Sequence, residues 1–311
     1  MALYAFDGTR DDDRNLGTDQ EAVAKATNVW KFYSAYDASL RPTGISSVYV
    51  PGVGTRFGAI GAVVGGALGA GWLERIESTY HTLCAAYVGG DRDIDIVGFS
   101  RGAAIALDFA NKVASSGITH NGTIVEANPK IRFLGLFDVV AAFGVANLGF
   151  SFSKLNVGHH LELPPQVEHC FHAISLDERR PQFVVTHAAN AYETWFRGVH
   201  SDIGGGNGNV GLNNITLRWM YRKAMLCGLP ITEANINDEA CRPADRINPN
   251  FFSEISTLTW RHLSATDRLH YSVAQHAVLQ DEPCRELIPG APVETEAFER
   301  QRVSVQAPST T

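Results

Sequence analysis

"DIDIVGFSRGAAIALDFA", residues 93–110, is the stretch on which the fold turns. A strand reading from Asp95 to Phe99 stops at Gly98-Phe99-Ser100-Arg101-Gly102, and small helix-forming residues follow at once. The pattern G-x-S-x-G between a strand and a helix is that of a nucleophile elbow. Such a turn holds the serine at unfavourable dihedrals so that its hydroxyl stands above the sheet edge. The residues two before and two after must then be tiny, because strand and helix press together there. An ordinary tight turn is the alternative; the strand before and the Ala-rich helix expected over 101–115 favour the elbow. The Arg101 N–H then points at a developing oxyanion, at a helix end that favours negative charge.

Working outward, "ALYAF" (2–6) and "SSVYVPGVGT" (46–55) read as strands, the second stopped by Pro51 and Gly52. "KIRFLGLFDVV" is a fourth strand ending at Asp138, "VEHCFHAISLDE" a fifth, and "YETWFRGVH" a sixth ending at His200. Thr18 with Glu21 fits a capping box before Ala22, Ala26, Val29 and Tyr33 at helical spacing. Leu73, Ile76, Tyr80, Leu83 and Tyr87 mark another helix, and "ITLRWMYRKAMLCGL" a further one. Strands alternating with helices predict an α/β fold of α/β-hydrolase type, a mostly parallel central sheet with helices on both faces. One catalytic domain is expected over residues 1–285, followed by a weakly ordered tail, 286–311, rich in Pro, Thr, Ser and charge.

A nucleophilic serine needs a base and an orienting acid, and in this fold the chain order is Ser, acid, His. Asp138 and His200 each close a strand, in that order, at the sheet's carboxyl ends, where open α/β sheets build their sites. His200 would take the proton of Ser100, and Asp138 would hold the imidazole tautomer. Asp177 competes for the acid role, its alternative being an ion pair with Arg179 or Arg180; the cleaner buried strand before Asp138 favours Asp138. A second oxyanion donor is expected from the N–H of Gly8 or Thr9, against a local turn capped by Asp7. His200 with Asp202 lacks a third clustered ligand, so no metal is implied. His159, His160 and His270 read as surface or packing residues.

The composition agrees with a globular protein: 311 residues, 45% hydrophobic and 19% charged. A net charge of −7 without a dense basic run excludes a nucleic-acid partner. Five scattered cysteines without CxxC suit a reducing compartment. No secretory leader pattern opens the chain, so the location expected is cytoplasmic, or exported without a cleavable signal. The uncharged segment 57–73 holds six glycines and is too short and glycine-rich for a good membrane span; an insertion near the site is expected instead. Neither nucleotide-binding fingerprint occurs, and no cofactor is implied.

The motifs "FDGTR", "VYVPGVGTRFG", "IDIVGFSRGAA", "LGLFDVV", "HAISLDERR" and "WFRGVHSDIGGG", in this order over residues 3–206, resemble an α/β-hydrolase family formerly of unknown function. It includes the catalytic domain of type VI secretion phospholipase effectors. The resemblance implies a serine hydrolase that cleaves carboxylic esters, with Ser100 as nucleophile, Asp138 as acid and His200 as base. It implies an ester or phospholipid substrate, a peripheral membrane contact and, for a secreted effector, a cognate immunity protein. Where the family often has Asp-Thr-Val and Trp-Phe-Pro, this chain has Asp138-Val139-Val140 and Trp195-Phe196-Arg197, which would set a charge at the mouth of the site. Full effectors carry large membrane-binding extensions that 311 residues would not hold. The other readings are a non-catalytic hydrolase-fold binding module and an amidase or acyltransferase using the same three residues.

Overall fold

In strand β1 (Ala2–Phe6), Ala2, Tyr4 and Phe6 enter one core while Leu3 and Ala5 enter another. This period-two division is that of a strand covered on both faces. The computed structural model describes residues 1–8, 20–40, 47–52, 67–141, 162–247, 259–278 and 284–299. After β1 come helices α1 (Gln20–Lys25) and α2 (Asn28–Leu40), strand β2 (Val48–Val50), α3 (Ala67–Val88), β3 (Ile94–Phe99) and α4 (Arg101–Ser116). A small antiparallel hairpin, β4 (Ile118–His120) and β5 (Thr123–Glu126), leads to β6 (Ile131–Phe137), β7 (Cys170–Ser175) and β8 (Tyr192–Phe196). Then follow α5 (His200–Gly204), α6 (Val210–Leu226), β9 (Leu269–His270), α7 (Ser272–Gln275), β10 (Val293–Glu294) and α8 (Glu296–Glu299).

Among the described residues, eight strands form one sheet in the order β2-β1-β3-β6-β7-β8-β9-β10, every neighbouring pair parallel. The expected α/β architecture with a parallel central sheet is therefore present. On one face α3 and α4 bury Ile76, Tyr80, Leu83, Leu107, Phe109 and Val113 against the strands. On the other, α2 and α6 bring Val29, Phe32, Leu212, Trp219 and Met220. Four alanines of α4, Ala103, Ala104, Ala106 and Ala110, are fully buried, so this helix lies close on the sheet.

The strand order turns at β1, whose neighbours are β2 and β3, and the parallel arrangement brings all carboxyl ends to one edge. Residues just beyond β1, β3, β6, β7 and β8 therefore converge there, as expected for an open α/β sheet.

Two differences from the sequence reading concern the ends of elements. The helix expected from Leu73 begins at Ala67, and 57–66 of the glycine-rich segment, like Thr18 of the expected capping box, lie outside the described residues. No helix among the described residues is long and apolar enough to cross a membrane. Beyond residue 286, where a weakly ordered tail was expected, β10 closes the far edge of the sheet, and Glu294 and Glu299 are buried. Their partners come from the core: Lys223 Nζ lies 2.6 Å from Glu294 Oε1, and Arg222 and His270 lie 2.8 Å and 3.0 Å from Glu299. His270, read as a surface or packing residue, is buried in this network and also bonds Ser272 Oγ at 2.7 Å.

Candidate active site

Ser100 follows β3 directly and carries φ 59° and ψ −125°, a conformation that costs a non-glycine residue about 1–3 kcal/mol. What holds it there is backbone packing. A Cβ on Gly102 would lie 2.3 Å from Phe6 O and 2.4 Å from Asp7 O, and one on Gly98 would lie 2.7 Å from Ala103 Cα. Side chains at either position would push β1 or α4 away. Ser100 N donates to Phe137 O at 3.0 Å, and Ser100 O accepts from Ala103 N at 3.2 Å and Val140 N at 3.3 Å. The serine turn is thus tied to β6 and to the loop beyond it. Arg101 is the first residue of α4, so its N–H lies in the helix's first turn.

Asp138 follows β6 and also has a positive φ, 44°. Its N–H donates to Ala173 O at 2.8 Å, and its Oδ1 accepts from Ser175 N at 2.9 Å, which locks the carboxylate against the end of β7. His200 opens α5 two strands further along the same edge. Its Nδ1 lies 2.5 Å from Asp138 Oδ2, and its Nε2 lies 2.7 Å from Ser100 Oγ. All three side chains are buried or nearly so. With Asp138 ionised, Nδ1 bears the proton and Nε2 offers its lone pair to the Ser100 hydroxyl. The imidazole is held between the Phe99 and Phe183 rings, each with its centroid 4.7 Å away.

Charge at this edge is organised in pairs that sequence reading missed. Arg261 grips both oxygens of Asp138, NH1 to Oδ1 at 2.6 Å and NH2 to Oδ2 at 2.9 Å. Burial alone would raise the Asp138 carboxyl, but Arg261 and His200 outweigh it and hold it well below the usual carboxylate range. Burial pulls His200 below the ordinary imidazole value, against the attraction of Asp138. Glu178 Oε2 accepts the His200 backbone N–H at 3.2 Å, and Arg180 NH2 donates to the same oxygen at 2.8 Å. Burial would raise Glu178 as well, yet Arg180 brings it below its usual value.

The competing acid is engaged elsewhere. Asp177 accepts from Arg197 NH1, Gly198 N and Arg285 N, each at 2.8 Å. Its ion-pair partner is Arg197, where Arg179 or Arg180 was expected; the Arg180 guanidinium pairs with Glu178 instead. Arg197 is accordingly buried by this contact and sets no free charge at the mouth of the site. Asp202 accepts from Val199 N just before α5 and from Asn207 and Asn209 in the loop that follows it. Of the two residues expected to supply a second oxyanion donor, Gly8 donates its N–H to Asp7 Oδ1 at 2.7 Å, and Thr9 lies outside the described residues.

A family model described as "T6SS, Phospholipase effector Tle1-like, catalytic domain" matches residues 3–125 and 120–223. The chain belongs to that family. Its fold is similar to the crystal structure of an uncharacterized protein from Pseudomonas aeruginosa, with a TM-score of 0.50 and 22% identity over 77% of this chain and 48% of that one. A second similar structure is the Tle1 effector bound to the VgrG spike of the type 6 secretion system, with a TM-score of 0.45 and 24% identity over 66% of this chain and 50% of that one. The chain therefore spans about half the length of these solved chains. No curated protein matches it. The Tle1-like match runs from β1 to α6 and includes Ser100, Asp138 and His200, whereas Arg261 lies beyond it.

Proposed function

We propose that this Tle1-like domain is a serine hydrolase that cleaves carboxylic esters of phospholipids through Ser100, His200 and Asp138. The observation that carries the reading is the continuous hydrogen-bonded line from Ser100 Oγ through the His200 ring to Asp138, with the serine at a strained strand-to-helix turn. Ser100 Oγ attacks the ester carbonyl carbon while its proton passes to His200 Nε2. The carbonyl oxygen becomes an oxyanion beside the Arg101 N–H at the start of α4, with Gly8 or Thr9 as the source of the second donor. For Gly8 to serve, its N–H must exchange Asp7 Oδ1 for the oxyanion.

Collapse of the tetrahedral intermediate breaks the ester bond, and the leaving alcohol takes the proton from His200. Water then attacks the acyl-Ser100 ester by the same route in reverse, releasing the fatty acid. Asp138 stays ionised throughout and stabilises the imidazolium formed in each step. The family description supports the phospholipid class, and the geometry of the three side chains supports a serine nucleophile.

The test is fluorophosphonate labelling of the folded protein together with a panel of short soluble esters and phospholipid vesicles. Labelling at Ser100 and release of fatty acid from vesicles, both lost in Ser100→Ala, are expected. Absence of labelling, or full activity in Ser100→Ala, would refute the serine mechanism. Turnover of soluble esters with none on vesicles would refute the lipid assignment alone.

A further inference from the structure

In a serine–histidine–aspartate site the carboxylate acts chiefly on the imidazole, yet here it is shared. Arg261 sits on the coil 259–264, beyond the matched family region, and reaches Asp138 across 123 positions of sequence. The guanidinium is buried and fully engaged: besides both Asp138 oxygens it donates to Ser175 O at 3.1 Å and to Phe183 O at 2.6 Å. The coil is fixed by Thr259 N donating to Arg179 O and by Trp260 lying under the Arg179 guanidinium, 4.9 Å from its ring centroid. Arg261 therefore ties together the acid, the end of β7 and the segment whose Phe183 ring packs on His200.

We propose that Arg261 is a positioning residue that sets the basicity of His200: by holding both oxygens of Asp138 it withholds part of the carboxylate's field from the imidazole. The consequence is a base that stays unprotonated, and so able to accept the Ser100 proton, at lower pH than Asp138 alone would permit. A buried carboxylate next to an imidazole favours imidazolium strongly, and a cation at the same oxygens offsets that preference. Two of the other carboxylates around His200 are balanced in pairs. Glu178, on its backbone N–H, is matched by Arg180, and Asp177 by Arg197. Asp202, on the same helix, accepts from Val199 N and two asparagines, and the rings of Phe99 and Phe183 are uncharged. Arg261 is thus the cation whose removal leaves Asp138 to act on His200 uncompensated.

The inference rests on the hydrolase reading for its consequence, but its test does not. The imidazole titration of His200 is followed by NMR, assigned with His200→Gln, in the wild type, Arg261→Met and Arg261→Lys. In Arg261→Met the titration is expected to move to higher pH, and Arg261→Lys, which keeps the cation, to restore most of the shift. Alongside, kcat/KM for a soluble ester in Arg261→Met should fall about tenfold more on the acid limb than on the neutral plateau. If Arg261→Met does not fold, Arg261→Gln carries the same comparison. A His200 titration unchanged in the neutral variants, or one displaced equally in Arg261→Lys, overturns the proposal. Should the titration move as stated while Ser100→Ala keeps esterase activity, the hydrolase reading fails and the role of Arg261 stands.

Discussion

Replacing Asp138 by asparagine preserves shape and removes one charge, and the structure predicts two separate losses. The first is catalytic. An amide can present its NH2 to His200 Nδ1, which selects the tautomer that cannot accept the Ser100 proton; the corresponding change in serine proteases lowers kcat by about 10⁴. The second arises because Asp138 is also the counter-ion of a buried arginine, at 2.6 Å and 2.9 Å. Removing one member of a buried pair leaves an uncompensated charge and costs about 3–5 kcal/mol. At about 2 °C per kcal/mol for a chain of this size, melting should fall by about 6–10 °C. Adding Arg261→Met removes the orphaned cation, so the double variant should melt well above Asp138→Asn while remaining as inactive. The two substitutions are therefore non-additive in stability. Calorimetry of the two single variants and the double, with single-turnover rates on an ester, supplies both numbers. Melting of Asp138→Asn within about 1 °C of the wild type, or strictly additive losses in the double variant, would refute the charge argument. Asp177→Asn is the companion measurement: it orphans Arg197 and should lose stability with most activity retained. The reverse pattern, activity lost in Asp177→Asn and kept in Asp138→Asn, would move the acid role to Asp177.

Three further outcomes can be checked. Gly102→Ala drives a methyl group into the carbonyls of Phe6 and Asp7, at 2.3 Å and 2.4 Å; it should cost about 1–3 kcal/mol or more and abolish fluorophosphonate labelling. Gly122→Ala, with open space but φ of 78°, should leave labelling intact, and equal labelling in both variants would contradict the packing account of the elbow. Glu294→Gln orphans the fully buried Lys223 and should lower the urea midpoint, whereas an unchanged midpoint would mean that the strand at the C-terminal edge adds nothing to the folded domain. Burial holds His200 and His270 below the ordinary imidazole value, so below about pH 6.5 the unfolded chain binds protons that the folded one refuses. Stability is then fully present above that pH and declines as pH falls below it. His187, raised by Glu193, opposes this, as do Asp202, which burial raises to about 6, and Asp95 and Asp177, which burial also raises. The histidine part is therefore read by difference: between about pH 8 and pH 5 the urea midpoint of His270→Gln should change less unfavourably than that of the wild type, and an identical change would contradict the assignment.

The elbow could be read from sequence because everything that enforces it is local: two glycines pressed against backbone, a buried strand before, an alanine-rich helix after. Asp138 and His200 could be placed because a parallel sheet sends every strand's carboxyl end to one edge, so strand order alone brings distant residues together. Neither logic reaches Arg261. It sits on a coil with no period, and a lone arginine in "TWRHL" reads as a solvated side chain. The run "LDERR" signalled acid–base pairing near the site but could not assign partners: Glu178 takes Arg180, while Asp177 takes Arg197 from the next strand. Glu294 and Glu299 read as part of a charged tail for the same reason, and are buried because Lys223, Arg222 and His270 wait in the core. β9 and β10 contribute two residues each, too few for any hydropathy pattern. Apolar residues declare their burial through spacing, whereas a charged residue is buried only when its counter-charge arrives from elsewhere in the fold. At this site those arrivals bear on function, because Asp138, Asp177 and Glu178 each have an arginine and the basicity of the imidazole depends on that balance.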